Sequence, residues 1–329
     1  MKKSELIKII CLLLAVLSLI TMYCGTQNQK VHTSEEGKTT VLNETGVTAR
    51  ATINGLTFRS TPNSISKENI IGFLHMGDLM YDVDFNHPQE GEGLCKESWY
   101  KAKAYINKKL VQGYASTRYI VQDNFSLGID ISEHQRNMLT PAKLIDFVNE
   151  KEIDFVNVRI GAREYGASGK IFADNMAVSY IKELKKAEVE FGVYFYSTAI
   201  TKKEAIEEAN FIKKFVKVNG IENVPIYIDV EIVFGDGDRT ESLKPSKRAS
   251  IVNIIFKELT TSKKFLFGIY SNLSLMSEIL KYLEEPGIIW VANFVKEMPN
   301  SRHIALPQAE IWQCSQKGFG LNLDINVRK

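Results

Sequence analysis

The segment Val224-Pro-Ile-Tyr-Ile-Asp-Val-Glu231 is an apolar run that ends in two acidic residues. Such a run is typical of a strand buried in a parallel sheet, and we predict that Asp229 and Glu231 end this strand. Because residues i and i+2 of a strand point to the same face, the two carboxyl groups lie on one face. Burying a charge without a partner is costly, so this pair of acids indicates chemistry rather than packing.

Seven further apolar runs lie between residues 125 and 329, and amphipathic helical patterns separate most of them. The helical patterns have recognisable ends, such as the capping-box sequence Thr201-Lys-Lys-Glu204 and a proline at Thr140-Pro141. Strands that alternate with helices predict an α/β fold with a mainly parallel sheet. About eight strands favour a barrel over an open sheet, with Asp229 and Glu231 ending the fourth strand.

Two more acidic residues lie at the ends of predicted strands. Asp130 is near the end of the first strand and Asp324 begins the last one. In α/β barrels the active site lies at the C-terminal ends of the strands, and closure brings the first and last strands together. We therefore expect four carboxyl groups in one site. Glycoside hydrolysis needs such a group, with one carboxyl protonated and a neighbour charged.

The motifs around these acids, together with their order and spacing, are similar to those of the family 25 glycoside hydrolases. They are Asp130-Ile-Ser-Glu-His-Gln135, Phe155-Val-Asn-Val-Arg159, Gly192-Val-Tyr-Phe-Tyr-Ser197, Asp229-Val-Glu231, Gly268-Ile-Tyr270, Trp290-Val-Ala292 and Trp312-Gln313. The resemblance implies an irregular, flattened (β/α) barrel over residues 125–329. It implies cleavage of the β-1,4 bond after N-acetylmuramic acid in bacterial peptidoglycan, without cofactor or metal. Carried over by motif, Glu231 is the proton donor, Asp229 its partner, and Asp130 and Asp324 the flanking acids.

The second half of the reaction stays open at this stage. Carboxyl groups about 5 Å apart predict retention and a gap of about 6.5 to 9.5 Å predicts inversion. Residues i and i+2 stand roughly 6.5 to 7 Å apart along a strand. That spacing suits an intervening water, or attack by the N-acetyl group of the substrate with Asp229 steadying it.

Aromatic residues near the strand ends are the expected sugar-binding groups, because amphipathic rings offer apolar area and a polar tip. They are Tyr194, Tyr196, Tyr270, Trp290 and Trp312, some of which we expect to be core residues instead. Arg159 is expected to pair with a buried carboxylate, with capping of a strand end as the alternative.

Residues 49–120 show short β-type runs alternating with turn chemistry, which predicts a small all-β barrel. The elements Leu56-Thr-Phe-Arg-Ser-Thr-Pro62, Ile71-Gly-Phe-Leu-His-Met-Gly-Asp78, Trp99-Tyr-Lys-Ala and Gly113-Tyr-Ala-Ser-Thr-Arg-Tyr-Ile120 resemble a bacterial SH3 domain. The resemblance implies a domain that binds the cell wall. A plain packing module is the alternative.

The N-terminal residues 1–24 begin with a basic stretch and continue with the apolar run Ile9 to Cys24, the layout of a secretory signal. The segment is either a cleaved signal peptide or a signal anchor, which would tether the protein to the membrane. Residues 25–48 are polar and predict a linker. We therefore expect an exported protein that acts in the cell wall or outside the cell.

The formal net charge of +2, with both signs interspersed, argues against nucleic acid as a partner. The four cysteines form no metal-ligand pattern, and we expect a monomer whose partner is peptidoglycan. Two other functions remain open from the residues alone: a non-catalytic, lectin-like barrel that binds peptidoglycan, and a glycosidase that acts on another N-acetylated glycan.

Overall fold

The computed structural model describes residues 31–33, 39–41, 47–92, 97–232, 238–261, 265–295 and 306–328. The chain forms two compact units, Met1–Gly46 and Val47–Lys329. In the first unit, β1 (Val31–Thr33) pairs with β2 (Thr39–Val41) in an antiparallel ladder. This ladder lies within the predicted polar linker, and the predicted signal segment 1–24 lies outside the described residues.

The second unit begins with an all-β region. Its strands are β3 (Val47–Ala51), β4 (Leu56–Arg59), β5 (Ile70–Leu74), β6 (Leu79–Val83), β7 (Gln89–Gly91), β8 (Glu97–Ile106), β9 (Lys109–Ser116) and β10 (Ile120–Gln122). They form one sheet in the order β10-β3-β6-β8-β9-β4-β5, with β7 paired to β8. The sheet extends two residues beyond each predicted limit of 49–120, because β3 and β10 pair with each other.

The remaining elements alternate between strands and helices. The strands are β11 (Ser126–Ile131), β12 (Phe155–Arg163), β13 (Ile171–Ala173), β14 (Glu190–Tyr196), β15 (Ile226–Asp229), β16 (Phe267–Asn272), β17 (Ile288–Ala292), β18 (Ile311–Ser315) and β19 (Asp324–Arg328). The helices are α1 (Pro141–Glu150), α2 (Ala177–Lys186), α3 (Lys202–Val218), α4 (Pro245–Thr260) and α5 (Leu273–Ile279).

Eight of these strands close into a barrel, as the sequence predicts. The order is β11-β19-β18-β17-β16-β15-β14-β12, and β11 also pairs with β12 to complete the ring. Neighbouring strands are parallel except for β19, which runs antiparallel to both β11 and β18. The β19 strand is therefore paired on both sides, although it is the last element of the chain.

The helices begin where the sequence indicates. The Thr201 hydroxyl accepts a hydrogen bond from the Glu204 N–H, and the Glu204 carboxylate accepts one from the Thr201 N–H. Helix α3 therefore starts with a complete capping box. Pro141 occupies the first turn of α1. One apolar layer lies between the helices and the sheet, and a smaller aromatic cluster fills the barrel. Among the described residues, no helix has the length and hydropathy needed to cross a membrane.

The all-β region packs directly on the barrel. The buried Arg50 donates hydrogen bonds to the carbonyl oxygens of Lys151 and Glu152 at the C-terminal end of α1, each over 2.9 Å. On the barrel side, the Phe319 N–H donates to Met76 O over 2.8 Å. Gly77 follows Met76 with φ at +93°, a conformation that favours glycine.

Candidate active site

A cleft of about 280 Å³ opens at the C-terminal end of the barrel strands, where the sequence predicts the site. All four predicted acids line it, and so do most of the predicted binding residues. The lining residues are Asp130, Ser132, His134, Gln135, Arg159, Tyr165, Tyr194, Tyr196, Asp229, Glu231, Tyr270, Trp290, Gln313, Gln316 and Asp324.

Asp130 and Asp324 lie directly opposite each other on the antiparallel pair β11–β19. Burial raises the pKa of Asp130 to about 6, against hydrogen bonds from Asn326 and Gln313 that favour its charged form. Burial and the nearby charge of Asp130 raise the pKa of Asp324 to about 8. Burial and mutual repulsion therefore disfavour the state in which both acids are charged.

Asp229 ends β15 and Glu231 follows two residues later, just beyond the strand rather than within it. The backbone between them is held by β16, since Val230 N–H donates to Tyr270 O over 2.9 Å and Ser271 Oγ donates to Val230 O over 2.7 Å. Burial raises the pKa of both carboxyl groups, and repulsion from Glu231 raises that of Asp229 further. The two acids therefore favour states that are not doubly charged.

The two carboxyl groups differ in their surroundings. Asp229 is buried with 6% of its surface exposed, whereas Glu231 is partly accessible from the cleft. The Oδ1 atom of Asp229 is buried without a hydrogen-bond partner in the described part of the chain. An unpartnered buried acceptor is costly, so this atom is suited to bind a donor group of a ligand.

Tyr194 and Tyr196 share one face of β14, and both line the cleft. Trp290 also borders it, yet only 1% of its surface is exposed, because the rings of Tyr194, Tyr227 and Tyr270 pack against it. Its ring is thus part of the core inside the barrel. The part of Trp290 with a specific polar contact is the indole N–H, which donates to Asn326 Oδ1 over 2.8 Å.

Trp312 does not lie in the cleft, in contrast to the prediction. It belongs to the apolar layer outside the barrel, and its indole N–H donates to Asn293 O over 2.8 Å. The side chains of β18 alternate, so its neighbour Gln313 faces inward and lines the cleft instead. All five residues of this strand are buried, so the apolar pattern alone could not show which of them face the interior of the barrel.

Arg159 pairs with carboxylates, as expected. Its Nε and Nη2 atoms each lie 2.9 Å from Asp174 Oδ2, and Nη2 lies 3.5 Å from a Glu133 oxygen. Its closest acidic partners are therefore not the four acids of the cleft. Its positive charge nevertheless favours ionisation of Asp229.

Several residues that line the cleft or contact its acids were not predicted to do so. Tyr165 stands at the edge of the cleft with 53% of its surface exposed and contacts the Tyr196 ring edge-on at 6.0 Å. Gln313 and Asn326 contact Asp130 from β18 and β19. Amide residues and a loop tyrosine carry no distinctive spacing in the sequence, although Gln313 was part of a recognised motif. Among the described residues, no group of three or more His, Cys, Asp or Glu side chains could hold a metal ion.

Acidic residues at the C-terminal end of an α/β barrel, bordered by tyrosines, form the kind of site that glycoside hydrolases use. A family model described as "Glycosyl hydrolases family 25" matches residues 129–320. This match covers more than half of the chain, and the chain belongs to that family. It is a glycoside hydrolase. No curated protein matches the sequence.

Several solved structures are similar to this chain, and the one with a TM-score above 0.5 shares its fold. The modular autolysin LytC from Streptococcus pneumoniae has a TM-score of 0.51 and 20% identity, with 78% of this chain and 66% of that chain covered. The catalytic domain of endolysin ply40 from bacteriophage P40 of Listeria monocytogenes has a TM-score of 0.49 and 20% identity, with coverage of 63% and 94%. A family GH25 lysozyme from Aspergillus fumigatus has a TM-score of 0.46 and 16% identity, with coverage of 63% and 94%.

Proposed function

We propose that this protein hydrolyses peptidoglycan at the β-1,4 bond between N-acetylmuramic acid and N-acetylglucosamine. The observation that carries the proposal is the meeting of Asp130, Asp229, Glu231 and Asp324 in one cleft. Family membership supports the reaction class. Support for the substrate comes from the autolysin LytC, whose structure is also known "in complex with synthetic peptidoglycan ligand" and has a TM-score of 0.51.

Glu231 is proposed as the proton donor. A general acid has to be protonated before it meets the glycosidic oxygen, and burial raises the pKa of Glu231 in that direction. Glu231 is also the more accessible acid of the pair, so it can reach a sugar in the cleft. Asp229 is proposed as its partner, and Asp130 and Asp324 as flanking acids.

The deep position of Asp229 favours a supporting role over direct attack on the sugar. Its buried Oδ1 lacks a hydrogen-bond partner among the described residues and can accept an N–H group. The N-acetyl group of the substrate carries such an N–H, which fits attack by the N-acetyl oxygen steadied by Asp229. In an inverting reaction, Asp229 would instead activate a water.

Tyr194, Tyr196 and Tyr270 are proposed to bind the sugar, since they line the cleft near the acids. Trp290 is proposed to support this surface from beneath, because its ring is covered by tyrosines. Arg159 is proposed to order the rim of the cleft through Asp174. Trp312 is not included among the sugar-binding residues.

The test is zymography on purified peptidoglycan with wild type, Glu231→Gln and Glu278→Gln. Glu278 lies on the exposed surface of α5 and serves as a matched control. We expect clearing by wild type and the control, and a loss of at least about 100-fold in Glu231→Gln, the usual contribution of a general acid. Equal clearing by Glu231→Gln would exclude it as the acid. Wall binding without clearing by any variant would favour a lectin.

Mass spectrometry of the released fragments identifies the bond that is cut. Reducing-end N-acetylmuramic acid is expected. Reducing-end N-acetylglucosamine would contradict the proposed bond, and activity confined to another N-acetylated glycan would contradict the substrate.

The all-β region 49–120 is proposed to be an SH3-like domain that holds the enzyme on the wall. Its antiparallel sheet and separate apolar core support a small β-barrel.

The N-terminal signal or anchor would place the enzyme outside the cytoplasm, at the wall or tethered to the membrane, and we propose that it acts as a monomer. Pull-down with wall sacculi tests the binding role. Because the region packs on the barrel, deleting residues 49–120 would disturb the enzyme as well, so the test uses surface variants of the intact chain.

A further inference from the structure

One positively charged donor lines a cleft that is otherwise acidic. Arg159 is the only arginine or lysine among the described residues that border the cleft, whereas four carboxyl groups do so. Its ion-pair partners are Asp174 and Glu133, and neither belongs to those four. Arg159 is therefore not simply the counter-ion of the four acids.

Asp174 holds one edge of the Arg159 guanidinium group. The Nε and Nη2 atoms each lie 2.9 Å from Asp174 Oδ2. In the described part of the chain, Nη1 makes no hydrogen bond, yet it is not one of the buried atoms that lack a partner. Nη1 carries two N–H donors, and they are accessible where Arg159 borders the cleft. Because the guanidinium group is planar and rigid, a fixed Nε edge also fixes the direction of Nη1.

Asp174 is itself held in place by the backbone around it. Its side chain is fully buried. Oδ1 accepts the Met176 N–H over 2.9 Å, and Oδ2 accepts the Glu133 N–H over 3.0 Å in addition to Arg159. The Asp174 N–H donates to Ile160 O on β12 over 3.1 Å. The carboxylate is thus a fixed anchor, and the donor group of Arg159 is oriented before a ligand arrives, which lowers the cost of binding.

The ligand group that fits this donor is an oxygen that can only accept hydrogen bonds. Sugar hydroxyl groups can donate to the carboxylates of the cleft, but a carbonyl or carboxylate oxygen needs a donor, and guanidinium groups bind such oxygens strongly. Of the two sugars in the proposed substrate, only N-acetylmuramic acid carries a lactyl group. Its acyl oxygen belongs to a carboxylate or, where peptide is attached, to an amide carbonyl. The N-acetyl group is common to both sugars and gives no choice between them.

We propose that Arg159 Nη1 donates to the lactyl acyl oxygen of N-acetylmuramic acid, and that Asp174 is the positioning residue that holds Arg159 for this contact. The inference rests on the proposed function and names the feature of the substrate that the cleft recognises. Arg159 accordingly determines the choice between muramic acid glycans and plain N-acetylglucosamine glycans.

The test is isothermal titration calorimetry in the Glu231→Gln background, which is expected not to cut the glycan. The probes are two tetrasaccharides, one of alternating N-acetylglucosamine and N-acetylmuramic acid and one of N-acetylglucosamine alone. In Arg159→Met we expect Kd for the muramic acid glycan to rise about 10- to 100-fold, the usual value of one hydrogen bond to a charged group, and Kd for the other glycan to stay unchanged. An equal rise for both glycans would show that Arg159 does not recognise the lactyl group and would overturn the inference.

Asp174→Asn tests the positioning role. It keeps the size of the side chain but removes its charge, so the guanidinium group is held less firmly. Kd for the muramic acid glycan alone should rise, by less than in Arg159→Met. In the double variant, Asp174→Asn should add nothing to Arg159→Met, because its effect passes through Arg159; additive effects would exclude the positioning role. The double variant also leaves no buried charge without a partner, which guards against a folding defect in Arg159→Met.

Arg328→Met is the matched control. Arg328 also pairs with a carboxylate, that of Glu190, but it faces Ser126 at the start of β11 and so lies at the opposite end of the barrel. Both Kd values should match those of the Glu231→Gln parent.

Failure of the inference differs from failure of the proposed function. A Kd for the muramic acid glycan that Arg159→Met leaves unchanged would reject the inference and leave the function standing. If the parent binds neither glycan and wild type clears no peptidoglycan, the function is rejected and the inference falls with it.

Discussion

Asp130 and Asp324 face each other across the antiparallel strand pair that closes the barrel. Two acids in this position repel each other when both are charged, so ionising both costs free energy. Their hydrogen-bond partners differ. Asn326 and Gln313 donate to Asp130, whereas the pKa of Asp324 rises to about 8. Hydrogen bonds from Asn326 and Gln313 thus stabilise the charged form of Asp130, whereas burial and the charge of Asp130 favour the protonated form of Asp324.

Replacing Asp324 with asparagine should stabilise the protein increasingly as the pH rises from 3.8 to about 8. A carboxyl whose pKa rises to about 8 on folding, from 3.8, binds its proton more tightly in the native state. Its effect on stability is favourable below pH 4 and is lost progressively as pH rises towards 8. Asparagine has no such dependence, so Asp324→Asn should gain thermal stability over wild type from pH 5 to pH 8. Differential scanning calorimetry across this range tests the trend. A gain that is constant with pH would contradict it.

Tyr165 should contribute to substrate binding rather than to the chemical step. It is largely exposed at the edge of the cleft and packs edge-on against Tyr196. Loss of one aromatic contact is worth about 1 kcal/mol, so Tyr165→Ala should raise KM about five- to tenfold with kcat nearly unchanged. Kinetics on soluble peptidoglycan fragments measure both constants. Tyr282→Ala, at a similarly exposed tyrosine outside the cleft, is the control; a selective fall in kcat would assign Tyr165 to the chemistry.

A buried ion pair supports the loop that carries Tyr165. Arg163 Nε lies 2.7 Å from Glu208 Oε1, and Arg163 Nη1 donates to Gly169 O over 2.6 Å. Both side chains are buried, so Glu208→Leu should lower the free energy of unfolding by about 3 to 5 kcal/mol, because the buried guanidinium then keeps only the half-exposed Glu207 as an acidic partner. Glu207→Leu is the control: its carboxylate is 45% exposed and should contribute less than about 1 kcal/mol.

Urea denaturation of both variants measures these differences. The double variant Arg163→Met with Glu208→Leu should recover much of the loss, since no charge is then left buried alone. Equal destabilisation by Glu208→Leu and Glu207→Leu would show that the pair is not important for the fold.

The contact between the all-β region and the barrel should depend on Gly77. A Cβ atom there would lie 2.7 Å from Phe319 Cε1, and the φ of +93° also disfavours other residues. Gly55 has a similar φ of +77° with open space around it, so Gly55→Ala carries the backbone cost alone. We expect Gly77→Ala to lower the free energy of unfolding by about 1 to 3 kcal/mol more than Gly55→Ala, the usual cost of overpacking. Equal losses of stability in urea denaturation would show that the contact with Phe319 adjusts to the extra methyl group without loss of free energy.

The sequence was sufficient to predict the barrel and the four acids, because strand ends and parallel topology determine where they meet. Asp130 and Asp324 are far apart in sequence, yet the first and last strands of a closed barrel have to be neighbours. The strand limits were less accurate, since Glu231 lies beyond β15.

The partners of the acids could not be predicted in the same way. Gln313 and Asn326 act through the orientation of an amide, which depends on contacts between β17, β18 and β19. Trp312 and Trp290 have similar sequence surroundings, but one faces the helices and the other faces the interior. A strand that is buried on both faces has no polar side, so its sequence does not show which residues face the barrel interior.

The closing strand β19 has a consequence for biosynthesis. It carries Asp324 and Asn326, and it fills the gap between β11 and β18. A nascent chain in which residues 324–328 have not yet emerged from the ribosome has neither a sealed barrel nor a finished set of acids. Closure of the barrel and completion of the set of acids therefore both wait for the synthesis of residues 324–328.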